Sequence, residues 1–153
     1  MGQQQLLLVI LVTIIVGIAT VVAINIFGTA ADQANRDAVR QDLMAASVQA
    51  QAIWARPTLM NGANRNFNGA NIDEGWILER LNIPSSTYIS GSGANLLENE
   101  NGDYFVTVVG DEEITITGTP SSGPPNIVAR VWRDATTQNW RVEIDGLADD
   151  DSD

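Results

Sequence analysis

From Leu6 to Phe27 the chain carries no charged residue, and only Thr13, Gly17, Thr20 and Asn25 interrupt its apolar run. As an α-helix rising about 1.5 Å per residue it spans about 33 Å, the thickness of a bilayer's hydrocarbon core. Such a run has few fates. Its backbone groups must pair within the segment, which makes it a helix, and its side chains need lipid or other apolar surface. No second run of this kind follows, so the sequence divides into one apolar handle and one polar body.

Of 153 residues, the handle and its flank leave about 120, enough for one modest domain. The net charge is -11, from 19 acids against 8 basic residues that are all Arg. This balance argues against nucleic acid or an anionic membrane surface as partner, because both call for a basic patch. A Lys-free acidic surface suits a chain working in high salt, where screening removes self-repulsion; codon bias accounts for it equally well. Cys and His are both absent. No disulfide or thiolate metal site can form, and the usual neutral-pH general base is missing, so we expect no enzyme, cofactor or resident metal.

The segments follow from pattern. Residues 1–5 are a short polar start or leader, and 6–27 the apolar helix. A secretory signal would have a charged start, a shorter core and a small-residue cleavage site. Here the run passes into more helix, with Ala30-Ala31 as the one candidate site. Over 28–56 the helix continues in amphipathic form: Val39, Leu43, Ala46, Ala50 and Ile53 recur at spacings of three and four, with Met44 and Val48 on the flank. Gly28 is the weak point between the halves, and Pro57 stops the helix. Residues 57–102 read as a variable region: an Asn/Gly-rich loop from Asn61 to Asn71, a short helix Asp73 to Leu81 capped by Asp73 with Trp76, Ile77 and Leu81 inward, a short strand Thr87 to Ser90, and a flexible Gly91-Ser92-Gly93.

The span 103–147 reads as sheet. Asp103–Val109 and Glu113–Thr117 form a hairpin about Gly110-Asp111-Glu112; Asn126–Arg133 and Asn139–Ile144 form two more strands. Four sequential strands with short connections predict an antiparallel meander, its buried face covered by the helix stripe. Residues 148–153 are an acidic tail. The expected class is α+β, a long N-terminal helix, apolar then amphipathic, packed on a C-terminal antiparallel meander.

A very short start ending in Gly2, an apolar helix beginning almost at once, its amphipathic continuation and a C-terminal sheet resemble type IV pilin-like subunits. In motif the resemblance covers residues 2 to about 27. It implies cleavage between Gly2 and Gln3, a membrane-anchored precursor in the inner or cytoplasmic membrane, and transfer by a pilus assembly machinery into a cell-surface homopolymer with its helices at the core. The chain departs from the family pattern in lacking an early glutamate, a leader charge, a proline in the run and a closing disulfide. A Gln-containing start also occurs in archaeal adhesion pilins, so bacterial and archaeal origins stay open.

The expected assembly residues are Gln3, Gln4, Gln5, Leu6, Leu7, Val9, Ile10, Thr13, Ile14, Gly17, Ile18 and Val21. The glutamine amides could satisfy helix-start N–H groups of neighbouring subunits, or merely end an anchor at headgroup level. Gly17 and Ala19 permit close helix approach, while the hydroxyls of Thr13 and Thr20 can bond back to carbonyls of their own helix. Glu98 to Asp103 spaces oxygen ligands as a calcium loop would but lacks the later acid, and reads as an Asn-Gly turn. Trp132 alternates with Val131 and is expected on the exposed or interface side. The Thr119-Pro120-Ser121-Ser122 loop has a composition that suits O-linked glycan. The competing expectation is a single-pass anchored extracytoplasmic binding or sensor module.

Overall fold

The computed structural model describes residues 2–84, 86–91 and 94–144, as one long helix and a six-stranded sheet. Met1, the Ser92-Gly93 part of the expected flexible segment, the end of the expected sheet region and the acidic tail lie outside the described residues. Helix α1 runs Gly2–Ala55. Gly28 stays helical within it. By compactness the chain forms two units, one ending at Ala34 and one beginning at Asn35.

In the second unit the expected stripe is the core face of α1: Val39, Leu43, Ala46, Ala50 and Ile53 are all buried, together with Trp54. Met44 and Val48 point to solvent. Pro57 ends α1 as expected, and the Asn/Gly-rich loop then turns back onto the helix end. The N–H groups of Ala63 and Arg65 donate to the carbonyls of Ile53 and Trp54, and that of Asn64 to Arg56. The Ile53 and Trp54 carbonyls are among those that a helix C-terminus leaves without intrahelical partners. The return requires left-handed backbone at Asn61, Asn64 and Arg65, and a side chain on Gly62 would collide with Arg56.

Helix α2, Glu74–Arg80, starts where the sequence places it. Asp73 caps it by accepting from the Trp76 N–H at 2.6 Å. Ile77, Leu78 and Leu81 are buried, while Trp76 is half-buried with the Arg80 guanidinium 4.0 Å over its ring.

The strands are β1 Thr87–Gly91, β2 Ala94–Glu98, β3 Gly102–Gly110, β4 Glu113–Pro120, β5 Ile127–Arg133 and β6 Trp140–Ile144. All neighbours pair antiparallel in chain order, a six-stranded meander. The expected four-strand sheet therefore gains β1 and β2 at its edge, from the region read as variable. The β3–β4 hairpin turns at Asp111-Glu112 with a bulge between Val108 and Gly110. Tyr104, Val106, Ile114, Ile116, Ile127, Ala129 and Val131 alternate onto the inner face and meet the α1 stripe. Gly118 faces the helix directly: a Cβ there would lie 2.7 Å from Val39. At the other end Trp54 meets Trp140 edge-on, with centroids 5.1 Å apart, and its indole N–H donates to the Asp111 carbonyl at 3.1 Å.

Candidate assembly helix and the carboxylate beneath the sheet

Within the first unit, α1 presents its apolar side chains outward on every side. Leu6, Leu7, Val9, Ile10, Ile14, Ile18 and Val21 are exposed, from 47% at Ile10 to 67% at Leu7, and Phe27 reaches 74%. This part of α1 is long and apolar enough to cross a membrane. The threonine hydroxyls inside the run are settled locally: that of Thr13 donates to the Val9 carbonyl and that of Thr20 to Val16, each at 2.8 Å. Thr29 bonds back likewise to Asn25 and Ile26. A side chain added at Gly17 would meet nothing within 4 Å, so that position is an open notch on the helix. Gln3, Gln4 and Gln5 lie exposed in the first turns, where four backbone N–H groups have no intrahelical acceptor. The proposed cleavage position, between Gly2 and Gln3, lies inside helical backbone.

The polar centre of the second unit is Asp42, a residue that the sequence pattern does not single out. It is 8% exposed and lies on the core side of α1. Its Oδ2 accepts three hydrogen bonds: from Tyr104 Oη at 2.7 Å, Asn101 Nδ2 at 2.8 Å and Asn99 Nδ2 at 2.9 Å. Burial, followed by the bond to Asp42, pushes the Tyr104 hydroxyl far above the ordinary phenol range. Asn99 in turn accepts from the N–H groups of Asn101 and Gly102 through Oδ1, closing the β2–β3 turn. The segment Glu98–Asp103 is therefore a turn strapped to α1, with its two amides committed to Asp42. Among the described residues no group of three or more His, Cys, Asp or Glu side chains could hold a metal ion.

The loop after β4, from Ser121 to Asn126, is fastened about two helical turns earlier. Asn35 donates to the Asn101 carbonyl and accepts from the Ser122 N–H. The Arg36 guanidinium donates to the carbonyls of Gly123, Pro124 and Pro125. Ser121 and Ser122 remain exposed at its tip.

Trp132 lies on the outer face, opposite the buried Val131, but it is half-buried rather than open. The Arg130 guanidinium covers its ring at 4.6 Å and is held by Glu113 at 2.6 Å. Trp54 and Trp140 belong to the core and its margin. Trp54 and Trp140 pack against each other, while Trp76 and Trp132 each lie under an Arg guanidinium elsewhere. No family model, curated protein or solved structure matches this chain.

Proposed function

We propose that the chain is the structural subunit of an extracellular pilus-like filament, anchored in a membrane before assembly and polymerised through the first half of α1. The observation that carries this reading is the exposure of the apolar run on all sides of a helix whose second half is the spine of the folded domain. Burying such a surface contributes about 25 cal/mol per Å² of apolar area, and packing against copies of itself supplies that burial outside lipid. The glutamines at the helix start would take the place of an ion pair, offering amides to unpaired N–H groups in a dry core. The Gly17 notch would let a neighbouring helix approach closely.

The second reading is a single-pass anchored extracytoplasmic module. It is favoured by the same run being long enough to span a bilayer, with its threonine hydroxyls satisfied internally. Shearing cells that produce the chain, sedimenting the released material and probing it separates the two. The filament reading expects the chain in the sedimented fraction, and expects Gly17→Leu and Gln4→Glu to deplete it. Wild-type yield from both variants would contradict a packed, amide-bonded core, and a chain found solely in membranes would favour the anchor.

A further inference from the structure

The sequence holds three Asn-Gly pairs, at 61–62, 68–69 and 101–102. Asparagine is thermolabile, and most so before glycine, whose nitrogen no side chain shields from the carboxamide in front of it. The fold treats the three pairs differently. At Asn101-Gly102 the glycine is buried at the start of β3, and its N–H donates to Asn99 Oδ1 at 3.1 Å. The Asn101 amide is itself held by Asp42 Oδ2 at 2.8 Å. At Asn61-Gly62 the glycine is again buried, its N–H donates to the Pro57 carbonyl at 3.2 Å, and Asn61 Oδ1 accepts from Arg80 at 3.3 Å. Asn68-Gly69 lacks such ties. Asn68 is exposed and Gly69 half-exposed, and among the described residues neither the Asn68 carboxamide nor the Gly69 N–H has a hydrogen-bond partner.

We propose that Asn68 is a site of spontaneous deamidation, with Gly69 as the internal nucleophile and water as the co-reactant, and that hydrogen bonding locks the other two pairs against the same reaction. The Gly69 nitrogen loses its proton to hydroxide and attacks Asn68 Cγ. The new N–C bond forms, the Cγ–Nδ2 bond breaks, and ammonia leaves with a proton taken from water. The cyclic imide then adds water at either of its carbonyls, which leaves an aspartyl residue or an isoaspartyl residue whose main chain runs through Cγ. A donated hydrogen bond opposes the first step, because it holds the proton that must leave. A held carboxamide opposes the attack, because it must swing onto the following nitrogen. At position 101 the product would also set a carboxylate beside that of Asp42, like charges within one largely buried site. At position 68 the isoaspartyl form adds a methylene to the backbone between two anchors. Phe67 is buried with its N–H bonded to the Asp111 carbonyl, and the Gly69 carbonyl accepts from the Ile72 N–H. This chemistry does not depend on filament formation.

The test uses the full-length chain in detergent, kept at mildly alkaline pH with and without urea. Cleavage after arginine then places the pairs in separate peptides, 41–65, 66–80 and 81–130, because Arg56 precedes Pro57 and resists the protease. Mass spectrometry reads the fraction deamidated in each. In the folded chain position 68 should react at least about tenfold faster than positions 61 and 101, which wait for local opening. In urea the three rates should converge to within about threefold, since each pair then meets similar surroundings. Gly69→Ala should slow position 68 at least about tenfold in both conditions by crowding the attacking nitrogen. The added methyl would meet the flexible tip of Ile72 most closely, at 3.1 Å, so folding is retained, which Trp fluorescence verifies. Equal rates at 68 and 101 in the folded chain, an intact Asn68 where the urea sample has reacted, or a wild-type rate from Gly69→Ala would each overturn the proposal.

Discussion

Asp42→Ala removes the carboxylate on which a helix, a turn and a buried tyrosine converge, and its cost can be worked from the geometry. Tyr104 is fully buried, and its hydroxyl bonds to Asp42 at 2.7 Å. Leaving that hydroxyl without an acceptor costs about 1–3 kcal/mol. The amides of Asn99 and Asn101 sit at a part-exposed turn, and Asn99 also donates to the Pro84 carbonyl at 3.2 Å, so water can replace most of what they lose. With a small term for the vacated volume, the total is about 2–4 kcal/mol, a large share of the roughly 5–15 kcal/mol typical of a domain. Asp42→Asn keeps the shape and an acceptor oxygen and should cost about 1 kcal/mol. Tyr104→Phe removes the group that Asp42→Ala strands, so the double variant should recover about 1–2 kcal/mol relative to additivity. Urea unfolding of the full chain in detergent, followed by Trp fluorescence, measures all four. An Asp42→Ala midpoint indistinguishable from wild type, or strict additivity in the cycle, would refute the view that this carboxylate ties the sheet to the helix.

Further outcomes follow from the same packing. Because the folded chain holds the Tyr104 proton where the unfolded chain releases it, the unfolded state binds fewer protons above about pH 10 and stability falls as pH rises. Below that pH the contribution is complete, so wild type should lose stability more steeply than Tyr104→Phe between about pH 10 and 12 in parallel denaturation series. Asp134 accepts from the N–H groups of Thr136 and Thr137, which holds its carboxyl below the ordinary range. Its contribution is present above about pH 4 and lost as pH falls through the lowered value, and Asp134→Asn should flatten that acid limb. Gly118→Val, forced against Val39 and Tyr104, should cost about 1–3 kcal/mol by thermal melting, with Gly110→Ala, where nothing lies within 4 Å, near neutral as control.

The parts of the fold legible in the sequence are those set by local period and by punctuation. The 39/43/46/50/53 stripe marks the helix's buried face, Pro57 its end, Asp73 the start of α2, and alternation marks β3 to β6. Strand β2 was illegible because Ala94-Asn95-Leu96-Leu97-Glu98 holds no β-branched or aromatic residue; pairing with β1 and β3 imposes its state. Asp42 was missed because its partners lie 57 to 62 residues away. A signal was nonetheless present: an acid three residues after Val39 and four before Ala46 falls on the buried face. The Asn/Gly segment could be read as a loop, but not as the cap of α1, since composition gives conformation without a target. The apolar half of α1 was legible by hydropathy, as a helix long enough to cross a membrane.

The central claim is that the first half of α1 packs against copies of itself. Helical reconstruction of sheared, sedimented material from cells producing the wild-type chain tests it most directly. The account predicts filaments with rods of density for residues 6–27 bundled at the core, axes about 8–10 Å apart, and six-stranded sheets on the outside. Filaments built from another protein, with this chain left in the membrane fraction, would contradict it.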